Sequence, residues 1–230
     1  MYPRKLSRRE FIPLASGLVL VGGGCMHGES SRPVNEVKVT VDLPLFDELW
    51  KLDGEIKQQF ASKRNNGIEA LGVTFRNPDQ LTHGGYSCTP TNTVAFASTG
   101  GDGVHFSFLV RDDRVGVNSP VVLTAPSNFG NENCILAENF RTFLRMGLRR
   151  GYFAMEQLSY SPTEALHVYG TPDWKPSSKS DHSKGYVLDD REVRVLQFVA
   201  KRLQLEPFSC TPEDFQAMQD RYMQVLKIQS

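Results

Sequence analysis

Between Leu43 and Ser62 the apolar residues Leu45, Leu49, Leu52, Ile56 and Phe60 recur at steps of three and four, which places one stripe along a helix. Pro44 falls in its first turn, where a missing N–H is tolerated, and Asn65-Asn66-Gly67 stops it. Residues 67–92 are rich in Gly, Asn, Pro and Thr and predict a long irregular connection with a short strand at Gly72–Arg76. Two strands follow, Thr93–Ala97 and Val104–Val110, joined by a glycine-rich hairpin turn, Ser98-Thr99-Gly100-Gly101-Asp102-Gly103. In the second strand Val104, Phe106 and Phe108 share one face, and His105 and Ser107 the other. Pro120–Ala125 reads as a third strand of the same sheet.

From Ala137 the period becomes helical. Leu136, Phe140, Phe143, Leu144 and Leu148 form one stripe, while Arg141, Arg145 and Arg149 form another, predicted to be a solvated face. Gly151 ends this helix, Tyr152–Leu158 predicts a second short one, and residues 171–186 form a polar, exposed loop. Two more helices close the chain. Asp190–Leu203 buries Val193, Leu196, Val199 or Ala200, and Leu203; Thr211–Ile228 opens on Thr211-Pro212-Glu213-Asp214 and turns Phe215, Met218, Tyr222 and Val225 inward. The fold class is α+β, a small antiparallel sheet covered by helices with two additional C-terminal helices.

The first 40 residues follow a different pattern. Ser7-Arg8-Arg9-Glu10-Phe11-Ile12 precedes an apolar run that ends in Gly22-Gly23-Gly24-Cys25. Phe11–Val21 is about half the roughly 20 residues needed to cross hydrocarbon, and Pro13 and Gly17 interrupt it. A processed export signal at residues 1–24 fits better than a permanent span, with Arg8 and Arg9 as its twin arginine. The glycines before Cys25 favour lipidation of that cysteine over simple secretion. Residues 25–40 then form a polar tether and 41–230 a single domain, placed in the periplasm or on the outer side of the cytoplasmic membrane, with membrane contact only through the lipid on Cys25.

Charge narrows the choice of partner. Residues 1–24 hold four of the 26 basic residues and one of the 26 acidic ones, so the remainder carries a net charge of −3. That excludes an ordinary nucleic-acid binder and leaves a protein partner of unknown identity. Cys88, Cys134 and Cys210 are an odd set without Cys-x-x-Cys spacing, which supports neither a complete disulfide framework nor a structural zinc site. Asp112, Asp113, Glu132 and Glu138 are too scattered to predict a metal centre, and no cofactor is implied.

Residues 89–110 are where chemistry would sit. The turn glycines and Asp102 can be purely structural, with His105 half-buried on a backbone partner. Alternatively Asp102, His105 and Ser107, with the loop before Thr93, form a polar binding rim. A third reading makes Cys88 a nucleophile, His105 its base and Asp102 or Asp112 the orienting acid, as in a cell-envelope thiol hydrolase. That reading needs His105 within hydrogen-bond reach of Cys88 so as to raise its thiolate fraction. Gly100-Gly101-Asp102-Gly103 lacks the glycine spacing and following lysine of a phosphate loop.

Over residues 93–148 the order of a strand, Gly-Gly-Asp-Gly, a strand, Ser119-Pro120-Val121-Val122 and then Glu138-Asn139-Phe140-Arg141-Thr142-Phe143-Leu144 resembles the sheet and closing helix of the SUKH superfamily. Leu43-Pro44-x-Phe46 stands where that family's early helix would be. The resemblance implies an α+β fold and a role in binding rather than catalysis, commonly the neutralisation of a partner toxin. The export signal and the two C-terminal helices depart from the family pattern.

Overall fold

The structure, a computed structural model, describes residues 39–61, 67–169 and 188–229. Arg8, Arg9, Cys25 and most of the proposed tether lie outside the described residues, as does the loop at 171–186. In chain order the elements are β1 (Thr40–Val41), α1 (Pro44–Gln59), β2 (Thr74–Phe75), β3 (Thr93–Ser98), β4 (His105–Leu109), β5 (Arg114–Val115), β6 (Val121–Thr124), β7 (Asn133–Ala137), α2 (Phe140–Gly147), α3 (Gln157–Tyr160), α4 (Pro162–Tyr169), α5 (Asp190–Arg202) and α6 (Pro212–Tyr222). The fold is α+β. Five antiparallel strands run in the order β2-β3-β4-β6-β7, and β1 pairs in parallel with β5. Among the described residues no helix is long and apolar enough to cross a membrane.

One face of the sheet is aromatic. Phe96 of β3 stacks on Phe108 of β4 with ring centroids 4.1 Å apart, and Phe46 of α1 and Phe140 and Phe143 of α2 meet them edge-on at 5.2–6.1 Å. Edge-to-face and offset pairs gain quadrupole attraction beyond the area they bury. The apolar stripe of α1 and the Phe-x-x-Phe-Leu stripe of α2 exist to cover this face. Asn139 caps α2 by accepting the amide of Thr142.

Alternation along β4 predicts that its second face is only half-covered. Instead all of His105–Leu109 is buried, because residues 82–90 fold back across that face as a strap and the C-terminal tail clasps its base. Asn92 accepts from the amide of Lys227 and donates to the carbonyl of Val225. Leu136, expected on the helix stripe, belongs instead to β7, a strand the helical period conceals. The free edge of β7 is sealed by α6: the Gln219 side-chain amide accepts from the Ile135 N–H at 2.9 Å and donates to its carbonyl at 2.7 Å. α6 itself starts on the Thr211/Asp214 capping box but stops at Tyr222, leaving Val225 in the tail. The short helix α4 carries too few periodic residues to be predicted.

The arginine stripe is a correction. Arg141, Arg145 and Arg149 were expected on a solvated face, yet they grip an extended segment that follows α5. Arg141 donates to the carbonyl of Gln204 (3.1 Å), Arg145 to Glu206 (2.8 Å) and Arg149 to Phe208 (2.8 Å), and Arg149 also reaches Ser209. The match is geometric. Four residues of helix rise about 6 Å, and two residues of extended chain span about 6.6 Å, so every fourth arginine meets every second carbonyl. Arg145 also lies over the Phe208 ring at 5.2 Å. Burial grades along the row, from exposed Arg141 to Arg149 at 3 % exposure.

Arg149→Ala therefore removes a buried donor from two acceptors and should cost about 2–3 kcal/mol, whereas exposed Arg141→Ala should cost less than about 1 kcal/mol. Urea unfolding of the two variants checks this, and equal losses would show that the row is solvated after all.

Candidate functional site

Antiparallel register decides what meets at the end of the sheet. Ser98, His105, Thr124 and Asn133 are consecutive cross-strand partners, so the β3–β4 turn (99–104) and the β6–β7 connection (125–132) emerge side by side. At the other end, β1 pairs with β5 inside the β4–β6 connection. Asp102 takes φ +49° in its turn, with Gly100 and Gly103 at +77° and +72°, conformations that favour glycine and that Asp tolerates.

His105 is the hub of the polar row. Its Nδ1 lies 2.7 Å from the Gly103 carbonyl, which can only accept, so Nδ1 carries the proton. Its Nε2 then accepts from the Thr89 hydroxyl at 3.2 Å. Burial holds the imidazole pKa below its usual value, against the Gly103 hydrogen bond, and the nearby Arg76 charge acts in the same direction as burial. The Tyr86 ring stacks on His105 at 5.8 Å. A Cβ at Gly84 would overlap the His105 ring, and one at Gly103 would overlap Tyr86, so these glycines let the strap lie flat on the strand. Thr124 donates to Asn133, and Asn133 donates to the Cys88 carbonyl, pinning the strap a second time.

This geometry sorts the sequence-predicted residues. Asp102 is exposed; His105 and Ser107 are buried at 3 % and 0 %, so they cannot form a solvent-facing rim. The Ser107 hydroxyl has no hydrogen-bond partner among the described residues. Cys88 is close in sequence to Thr89 but does not hydrogen-bond His105, whose acceptor nitrogen is taken. Burial raises the Cys88 thiol pKa and the Glu132 carboxylate adds to this, the opposite of thiolate activation. Burial also pushes Cys134 and Cys210 up to about 12. The three cysteines are free, and among the described residues no group of three His, Cys, Asp or Glu could hold a metal ion.

What sequence reasoning missed is the surface around the two turns. Phe129, at the tip of the β6–β7 connection, is 87 % exposed; Tyr160, bonded to Ser127 of that connection, and Tyr86, packed against Gly103 of the β3–β4 turn, are exposed as well. The tip is held in shape: Asn128 donates to the carbonyls of Asn131 (3.0 Å) and Ser159 (2.7 Å), and Ser127 shares a 2.9 Å hydrogen bond with the Tyr160 hydroxyl. Glu156 lies against the other turn, hydrogen-bonded to Thr99 and close to the Asp102 charge. A signal for this surface exists in the sequence: residues 77–110, 115–140 and 151–169 contain no Lys or Arg. Arg76, just before the first of these segments, is bonded to Thr82 of the strap.

Glu156 makes a test of this end of the molecule. Burial raises its carboxyl pKa to about 7, with the Asp102 charge acting in the same direction and the Thr99 hydrogen bond opposing. A carboxyl raised on folding favours the folded state fully below its unfolded pKa of about 4.5 and loses that contribution as pH rises through about 7. Glu156→Gln should therefore leave Tm nearly unchanged at pH 4 and raise it at pH 8; thermal melts across this range read the difference, and a pH-independent offset would contradict the assigned environment. No protein-family model matches the chain, and no curated protein matches it.

Proposed function

We propose that this chain is an exported, non-enzymatic binding domain of SUKH-like type, held at the membrane surface by a lipid on Cys25, that engages a protein partner through the sheet end bearing the two turns, in an immunity-like role. One observation carries the reading: an aromatic side chain left 87 % exposed on a loop tip that its own hydrogen bonds hold rigid. Rigid aromatic tips supply large contact area at small entropic cost, and exposed aromatics gathered at one end of a fold favour an interaction site. Topology supports the direction of engagement, since β1, into which the proposed tether would lead, pairs with β5 at the opposite end. Arg8, Arg9 and the Gly-Gly-Gly-Cys25 run support the route and the anchor. The element order of helix, antiparallel meander and closing helix is what the SUKH resemblance implies. A thiol hydrolase has less support, since Cys88 is de-activated and His105 is already bonded at both nitrogens.

A photo-crosslinking residue placed at position 129 in the full chain, expressed in its own envelope, should trap a discrete protein adduct. The same residue at Val117, 61 % exposed near the tethered end, should not. Equal trapping at both positions, or none at 129, removes the binding surface. Mass spectrometry of the mature N-terminus tests the anchor: a lipid-modified Cys25 is expected, and an unmodified residue further along the chain would sink it.

A further inference from the structure

The surface around the two turns has a chemistry narrower than binding in general. Its exposed aromatics are Phe129, Tyr86 and Tyr160, and its carboxyl groups are exposed Asp102 and half-buried Glu132 and Glu156, with no Lys or Arg in any of the three segments that build it. Arginines lie over aromatic rings at Tyr222, Phe198 and Phe208, 5.2–5.9 Å from the ring centroids, while among the described residues Phe129 and Tyr160 carry no such cation. Ring faces attract guanidinium and ammonium groups, and carboxylates form charge-assisted hydrogen bonds with them. Both kinds of acceptor are therefore at least partly open to solvent at one end of the sheet, and the three segments that carry them contain no Lys or Arg to compete for them.

Dimensions set the size of the partner. The turn carrying Asp102 joins β3 to β4 and the connection carrying Glu132 joins β6 to β7, so their centres lie two strand spacings, about 10 Å, apart. A single small cation cannot reach both carboxylates across that width, whereas a stretch of polypeptide can. An anionic lipid surface or a nucleic acid would be repelled by the same carboxylates.

We propose that the surface formed by the β3–β4 turn and the β6–β7 connection binds a Lys/Arg-rich segment of a partner protein, with the aromatic rings receiving its cations and Asp102 and Glu132 pairing with them. This rests on the binding reading given above and specifies its partner class. Because Asp102 is exposed and Glu132 only half-buried, they contribute attraction and selectivity more than raw affinity, and the interaction weakens with salt.

The test is a titration of the isotope-labelled full chain, followed by amide chemical shifts, with tetra-arginine and tetra-glutamate peptides at equal ionic strength. Tetra-arginine should shift amides within 99–104 and 125–132, and tetra-glutamate should not. The double variant Asp102→Asn, Glu132→Gln and the single variant Phe129→Ser should each weaken tetra-arginine binding by at least about threefold, of the order of one good surface ion pair. All three positions are at least partly exposed, and Asn accepts the positive φ of position 102, so unchanged melting temperatures will show that the variants are folded. The proposal is overturned if tetra-arginine leaves both turns unshifted, if tetra-glutamate shifts them equally, or if the variants bind as the parent does. The adduct trapped at position 129 separates the two levels of the argument. A trapped segment that is neutral or acidic overturns the cationic partner while the binding surface stands; an absent adduct removes the surface itself.

Discussion

β4 lies at the centre of the sheet with no water on either side, and this imposes the condition on which the remaining structure depends. Its aromatic face is easily buried. Its other face carries an imidazole and a hydroxyl, and burying a polar group without a partner costs about 1–3 kcal/mol. His105 meets the condition by spending one nitrogen on Gly103 at 2.7 Å and the other on Thr89 at 3.2 Å, whereas the Ser107 hydroxyl finds no partner among the described residues. The first bond fixes the β3–β4 turn that follows from Gly100 and Gly103; the second fixes the strap. Tyr86 is then placed over the ring, and the strap's Cys88 carbonyl is brought to Asn133 at the start of β7. Both sides of the exposed surface are thus referred to one neutral histidine.

The same topology gives the molecule two unlike ends. An antiparallel order β3-β4-β6-β7 returns both tight connections to one end and leaves the β4–β6 connection, where β1 docks, at the other. Charge follows the same division for an internal reason. Arg141, Arg145 and Arg149 hold the segment after α5 by its carbonyls, and Arg202 pairs with Glu55 on α1, so arginine serves the helical side of the fold as structural glue. The loops at the exposed end are built instead from Gly, Asn, Ser and Thr, whose short side chains bond their own backbone. An acidic, aromatic surface is the residue of that distribution of labour.

α1 and α5 were legible because each buries one stripe and ends within three residues of its periodic run, and the capping box at Thr211 marks the start, though not the end, of α6. The strands β3, β4 and β6 were legible from alternation and turn glycines. Failures came where a residue type had two uses. A polar residue at an alternate strand position reads as solvent-facing, yet His105 and Ser107 are buried because a distant, aperiodic segment covers them. An arginine at every fourth helical position reads as a solvated stripe, yet Arg149 is a buried donor, and nothing local announces the extended chain it grips. Leu136 fits both a helical stripe and a strand, and pairing with β6 decided in favour of the strand. Tertiary cover, not local propensity, separates these alternatives.

Cys88 and His105 show why residue types alone are a poor guide to catalysis. The fold does bring them onto the same face of the sheet, Cys88 beside the threonine that bonds the histidine. A nucleophilic pair would need a stabilised thiolate and an imidazole free to accept its proton. Burial acts against both requirements here: it raises the thiol pKa and lowers that of the imidazole. Moving the proton from sulfur to nitrogen would create two charges in a site that disfavours each of them. Protein recognition makes no such demand. It requires a rigid frame behind an adaptable contact surface, and a neutral histidine bonded at both nitrogens, beneath turns that expose Asp102 and Phe129, supplies that frame.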